Sequence, residues 1–361
     1  MNEWNLSISV DEEVSARMAL VGTVRRLEEI GLLWQNWGEM SVRLDETHFA
    51  ITPAGARFED LTPEELVVVR TDGRYTARAY QPPADMSIHA AVYAMRPDAG
   101  AVILTHQAYA SCAGVLGRKR LRIDEEGEHF YIPVVPYVHF GEAKTAENIR
   151  TAIRRFSDGR SFLLAGHGAM CYGKDGTDAL RWAQWLEVIC ESYLSGICRT
   201  NLVHGIIEGY SSRLEHGEIM FSRSDMPERL RRIHEHIYHR RKDVRVILHC
   251  KSDAVLLTSR RARVLKPLLD DFAQCIGQRV DIPSNMRGFD GEMLFVKPDV
   301  DVVFLRDEGA LCLGASVDEA AQIARILDKG CIAQAAVMRF GEGQYLKKKD
   351  CKRLYKNYSK S

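Results

Sequence analysis

The chain has 361 residues, 46% of them hydrophobic, which is enough to bury a sizeable core and to divide into about two domains. Its 49 Lys+Arg and 49 Asp+Glu cancel, removing any bulk electrostatic ground for nucleic acid or an acidic membrane as partner. No apolar run approaches the ~18–20 residues that span a bilayer, and MNEWNLSISVDEEV lacks the basic and apolar regions of a secretory leader, so a cytoplasmic protein is expected.

In chain order, Val14, Met18, Val21, Leu27 and Ile30 recur at helical spacing and predict a first helix over about Asp11–Ile30, stopped by Gly31. Three strand-like runs follow, MSVRL, HFAITP and LVVVR, with turn chemistry at Thr71–Gly73. A helix over Asp85–Met95 must end before Pro97, because the residue ahead of a proline is driven out of the α region. Then come a strand (AVILTH), a helix, a strand (YIPVVPY), a helix from about Ala143, a strand (SFLLAGHGAM) and a long helix over about Thr177–Leu194. This alternation predicts a layered α/β domain over residues 1–205. The glycines and serines of residues 206–226 read as a connector, and residues 227–361 as a second domain ending in a basic, solvated tail, YLKKKDCKRLYKNYSKS. Nine cysteines without CxxC spacing, several in apolar runs such as Cys190 and Cys331, predict reduced, buried thiols rather than a disulfide framework.

The second domain repeats the first. Ser87–Leu104 aligns without a gap on Arg232–His249, so that His89 matches His234 and Tyr93 matches Tyr238, an offset of 234 − 89 = 145. Further on, Gly168, Cys171 and Gly173 fall on Gly309, Cys312 and Gly314, an offset of 309 − 168 = 141. Two matched blocks in one order indicate an internal duplication, whose second copy is shorter. In this register Leu104 pairs with His249 and His106 with Lys251, so each copy keeps one half of an H-x-H pattern. On a strand such a pattern turns two imidazoles to one face, where a third histidine would complete a catalytic zinc site with an open position. His167, between Gly166 and Gly168, is that third candidate. Asp85 is placed to N-cap its helix, to act as a base or to serve as an extra ligand. His89 and His234, each four residues ahead of a tyrosine, read as packing residues.

The motifs WGEMSVR, ITPAGARFEDLTPEELVVV, PPADMSIHAAVYAMRPDAGAVILTH, IPVVPYVHFG and LLAGHGAMCYG, in this order over about Leu20–Leu194, resemble the class II aldolase/adducin family. The resemblance implies a three-layer α/β/α fold with a mixed, mostly antiparallel sheet, present twice, the second copy degenerate. It implies a lyase or epimerase that works through a metal-stabilised enediolate on a small hydroxy-carbonyl, with oligomers that place sites at subunit contacts. Asp85 falls on the family's catalytic carboxylate, His106 and His167 on two zinc histidines, and Tyr137 on a proton-donating tyrosine that reaches a neighbouring subunit's site. Gly38, Glu39, Thr52, Gly55 and Ala84 fall at substrate-binding positions.

The departures carry information too. Leu104 stands where the family has its first zinc histidine, and leucine cannot ligate. Glu39 replaces a phosphate-binding asparagine, and Pro83 and Ala84 replace paired serines, so a non-phosphorylated substrate is expected; the plainer reading of Glu39 is that it only neutralises a neighbouring arginine such as Arg43 or Arg57. In the second copy the ligand positions read His249, Lys251 and Glu308, and the carboxylate position is Leu230. An ion pair of Lys251 with Glu308 is expected in place of a metal. The competing expectations are a non-catalytic, adducin-like binding module and a metal-free enzyme using Asp85, His106 and Tyr137.

Overall fold

In the computed structural model, which describes residues 6–76, 79–125, 127–139, 142–199, 202–283 and 300–358, the chain folds as two units, Met1–Tyr193 and Leu194–Ser361. Helix α1 (Val10–Glu29) of the first unit opens on a capping box, in which Ser9 Oγ accepts from the Glu12 amide and the Glu12 carboxylate accepts from the Ser9 amide. Leu20, Val21, Val24 and Leu27 are buried, whereas Val14 and Met18, expected on the same apolar face, are exposed. The first half of the helix is held instead by Arg17, whose guanidinium donates to the Pro63 and Leu66 carbonyls.

Strands β1 (Glu39–Arg43), β2 (His48–Ile51) and β3 (Val67–Arg70) form an antiparallel meander. There follow α2 (Met86–Met95), β4 (Ala101–Thr105), α3 (Ala108–Gly114), β5 (Arg120–Glu125), β6 (Glu128–Val135), α4 (Glu142–Arg155), β7 (Ser161–Leu164), β8 (Gly168–Gly173) and α5 (Gly176–Cys198). The eight-stranded sheet runs β3-β2-β1-β4-β8-β7-β6-β5, parallel only between β6 and β7, which is the mixed, mostly antiparallel arrangement expected. Ile88 and Val92 of α2 and Ile149 and Ile153 of α4 close a core over Phe49, Val102, Leu104, Phe162, Leu164 and Met170 on one face. Leu163, pointing the other way, meets α3 at Gly114. The run SFLLAGHGAM, expected as one strand, is a hairpin of β7 and β8. Gly166 at φ +77° breaks the strand, and the His167 amide donates back to the Leu164 carbonyl at 3.0 Å.

The second unit contains β9 (Ser212–Glu215), β10 (Glu218–Phe221), α6 (Glu228–Arg240), β11 (Val246–Cys250), α7 (Asp253–Arg261), β12 (Val264–Leu265), α8 (Asp270–Cys275), β13 (Val280–Asp281), β14 (Val302–Leu305), β15 (Gly309–Gly314), α9 (Val317–Phe340) and α10 (Lys348–Tyr358). Its five-stranded sheet, β10-β9-β11-β15-β14, repeats the order β2-β1-β4-β8-β7. The register repeats as well. Ala101 lies between Val42 and Gly173, and its counterpart Val246 lies between Arg213 and Gly314. Residues 206–226, expected as a connector, thus carry the hairpin β9–β10, the partner of β1–β2. His216 and Gly217, both at positive φ, make the tight two-residue turn that joins these strands. The basic tail also differs from a solvated end, since α10 buries Cys351 and Leu354.

Each unit staples its sheet to the following helix with the same buried trio. The Ser41 hydroxyl lies 2.7 Å from His89 Nδ1 and 2.8 Å from the Tyr93 hydroxyl, and the Ser212 hydroxyl lies 2.7 Å from His234 Nδ1 and 3.0 Å from the Tyr238 hydroxyl. All nine cysteines are free thiols, eight of them buried. No helix among the described residues is long and apolar enough to cross a membrane.

Candidate active site

The end of β4, the β7–β8 turn, the loop after β6 and the start of α2 meet at one place in the first unit. Asp85 directly precedes α2 but its side chain makes no capping bond. It accepts instead from the Tyr137 hydroxyl, at 3.1 and 3.0 Å to its two oxygens, while His167 Nε2 lies 3.4 Å from Oδ2. The Tyr137 ring stacks on His167 with centroids 4.0 Å apart and planes within 2°. His106, one residue past β4, meets His167 edge-on at 4.5 Å, and Trp37 meets His106 edge-on at 5.4 Å. Asp85 and His167 are buried and His106 and Tyr137 half-buried, so the cluster is largely sheltered from solvent. The close approach needs glycine, because a Cβ at Gly168 would sit 2.0 Å from the Thr105 carbonyl oxygen and 3.4 Å from His106 Cα. The structure therefore brings Asp85, His106, His167 and Tyr137 together, with Tyr137 beside the Asp85 of its own chain.

The expected substrate positions form a looser group. Gly38, at φ +105°, leads into β1, and a Cβ there would meet the Leu104 carbonyl oxygen at 2.6 Å. Glu39 opens β1 in register with Leu104. Thr52 is buried, its hydroxyl accepting from the Met40 amide at 3.2 Å. Gly55 and Ala84 are exposed on two loops joined by the bond from the Ala54 amide to the Gln81 carbonyl at 2.9 Å. Neither arginine proposed to neutralise Glu39 is committed to it. Arg43 donates to the Tyr93, Arg96 and Ala99 carbonyls, and Arg57 pairs with Glu59.

The donor set fits a divalent ion in part. Two donors bound to one ion at ~2.0–2.1 Å in a tetrahedral shell lie about 3.4 Å apart. His167 Nε2 and Asp85 Oδ2 are at that separation, and a ring nitrogen of His106 lies within 4.8 Å of one of His167. Leu104, 1% exposed, has joined the aliphatic core under α2 and supplies nothing.

The corresponding place in the second unit cannot take a metal. The His249 Nδ1 accepts from the Tyr210 amide at 3.2 Å and its Nε2–H donates to the Glu308 carbonyl at 2.9 Å, so both nitrogens are spent. Burial pushes its pKa down, in keeping with a neutral ring. The segment carrying Gly209 lies directly over it, since a Cβ there would be 2.6 Å from His249 Nδ1. The ion pair expected between Lys251 and Glu308 is absent; Glu308 pairs with Arg229, which reaches it from the first turn of α6 beside Leu230. Arg229 and Trp37 carry no signal of their own in the sequence. Trp37 was findable only through its place one residue before the first motif's glycine, since nothing in its spacing marks a partner for His106.

The sequence model described as Class II Aldolase and Adducin N-terminal domain matches residues 18–194 and again residues 208–335. The L-fuculose phosphate aldolase of Haemophilus influenzae is 29% identical over 48% of this chain and 80% of that protein. The 5-methylthioribulose-1-phosphate/5-deoxyribulose-1-phosphate aldolase of Rhodospirillum rubrum is 29% identical over 50% of this chain and 80% of its own length. The methylthioribulose-1-phosphate dehydratase of Xanthomonas campestris is 27% identical over 48% and 86%. Similar solved structures include an L-fuculose 1-phosphate aldolase (23% identity, 53% of this chain and 89% of that one, TM-score 0.46) and the L-fuculose-1-phosphate aldolase of Thermus thermophilus (25% identity, 51% and 96%, TM-score 0.43). With the family match falling on both halves, and one strand order, register and buried Ser–His–Tyr trio in each, the chain belongs to the class II aldolase and adducin family as a tandem duplication.

Proposed function

We propose that the first unit is a lyase or epimerase of the class II aldolase type, acting on a small carbohydrate-like hydroxy-carbonyl, and that the second unit is a non-catalytic copy. The observation that carries this reading is Asp85, which forgoes its helix cap and is held by Tyr137 and His167. A divalent ion, zinc by ligand type, would be held by His106 and His167 with Asp85 alongside, and when bound supplies Lewis-acid polarisation of the substrate's oxygens. Asp85 takes the substrate proton next to the carbonyl, its orientation fixed by the Tyr137 hydroxyl. In the direction of C–C bond formation the carbon so deprotonated attacks the aldehyde carbonyl, Tyr137 gives its hydroxyl proton to the oxyanion this forms, and cleavage runs the same steps in reverse; the stack on His167 fixes the ring. We place this enzyme in the cytoplasm as a homo-oligomer, with a small molecule as its partner.

The relatives' names each carry a phosphate and support a sugar phosphate as substrate. Glu39, Pro83 and Ala84 support the unphosphorylated sugar, since a carboxylate at the ester position repels a dianion. Cleavage assays with L-fuculose phosphate and with L-fuculose separate the two. Elemental analysis of fresh protein and its His167→Ala variant tests the site: stoichiometric metal lost in the variant, with turnover lost on chelation, is the expected result. Turnover that survives chelation points to the metal-free chemistry of Asp85, His106 and Tyr137. Absence of both metal and turnover leaves the adducin-like binding module, the reading favoured by Leu104 buried in a ligand's place.

A further inference from the structure

We propose that the second unit carries a binding site for a small organic dianion, in a cavity of about 690 Å³ between the β12–β13 ribbon and the chain from Gln334 to Cys351. The volume lies in the range of metabolite sites, roughly 300–1,000 Å³. Three cations line it, Lys266 at the end of β12, Arg279 ahead of β13 and Lys348 at the start of α10, and among the described residues no acidic side chain does. Arg279 pairs with Asp281 at 2.6 Å, whereas Lys266 and Lys348 have no acidic partner among the described residues. Lysines on the wall of one cavity without acidic partners leave its lining net positive, and a doubly charged anion seated there gains charge-assisted hydrogen bonds.

The floor and mouth are built for a polar body rather than a bare ion. Gln334 of α9 is only 7% exposed, and the Tyr345 hydroxyl donates to its Oε1 at 3.3 Å. Gln278 adds a second amide to the lining. Amides and a phenol recognise hydroxyl or carbonyl groups of an organic anion. The site is held in place by the tail: the Leu346 amide donates to the Pro267 carbonyl at 3.1 Å, and α10 packs on α8 through buried Cys351 and Leu354. The lysine-rich tail thereby becomes one wall of a pocket instead of a free end. The cavity lies wholly in the unit whose ancestral site is sealed by His249 and Gly209, so its ligand is recognised independently of the chemistry proposed for the first unit.

Acylation of the full-length protein by an amine-reactive reagent, read residue by residue by mass spectrometry, tests this. Ribose 5-phosphate and succinate are the probes, with neutral ribose and sodium chloride of matched ionic strength as controls and Lys352 as the reference lysine. Saturable protection of Lys266 and Lys348, but not Lys352, by ribose 5-phosphate is expected. In Lys266→Gln/Arg279→Gln, protection of Lys348 should need at least about tenfold more probe, as two charged contacts are lost. Both replaced side chains are exposed, so an unchanged melting temperature confirms the fold. Protection by succinate alone assigns a dicarboxylate, and protection by ribose 5-phosphate alone a phosphate monoester. Equal protection by sodium chloride or ribose, no protection by either anion, or an unshifted response in the double variant would overturn the proposal.

Discussion

His89 is fully buried, its Nδ1 bonded to the Ser41 hydroxyl, and burial pushes its pKa from 6.5 down to about 3. A lowered pKa means that the unfolded chain takes up a proton at a pH where the folded chain does not. The stability this ring permits is present above pH 6.5 and is lost as pH falls toward 3. For one group with these two pKa values, linkage gives a loss of about 2 kcal/mol between pH 7.5 and pH 5, a window in which ordinary carboxylates stay ionised in both states. All five tryptophans of the sequence precede residue 194, and Trp34, Trp37, Trp182 and Trp185 lie in the first unit, so urea unfolding followed by tryptophan emission reports that unit. Wild type should lose about 2 kcal/mol over the window, and His89→Gln, less stable at neutral pH, should lose little more as pH falls. Equal pH slopes in the two proteins would refute the assignment of this dependence to His89.

Three further outcomes follow from the geometry. Tyr137→Phe keeps the stack on His167 but removes the hydroxyl from Asp85, so turnover should drop by about 10²-fold or more with KM and melting temperature nearly unchanged; unchanged turnover removes Tyr137 from the chemistry. Leu104→His should tighten zinc binding more than tenfold in a chelator competition, while the buried imidazole costs the metal-free protein about 2–4 kcal/mol; an unaltered affinity would show that position 104 does not face the ion. Gly168→Ala forces a methyl onto the Thr105 carbonyl and should cost about 2–3 kcal/mol in thermal melts of tryptophan emission; a negligible shift would contradict the packing at the β7–β8 turn.

Much of the first unit was legible because its strands are β-branched and its helices end at Gly31 or before Pro97. The strand β5, RLRIDE, escaped because four of its six residues are charged, Arg120, Arg122 and Asp124 among them facing solvent. The hairpin β9–β10 escaped because an exposed edge ribbon carries polar residues and turn glycines, the same composition as a linker. Asp85, His106, His167 and Tyr137 were each legible, since motif spacing marks them; what the spacing could not give was which groups touch. Glu308 illustrates the limit: the alignment puts it and Lys251 at ligand positions of one site, yet its carboxylate pairs with Arg229.

The buried serine–histidine–tyrosine trio gives the molecule an internal reference. The second unit keeps it while lacking Asp85 and His167, whose places hold Leu230 and Glu308, so the framework survives without the chemistry. Damage to Ser41 or His89 should accordingly read out as loss of architecture, with a twin effect at Ser212 or His234. Positions where the halves diverge are where activity and fold can be altered separately.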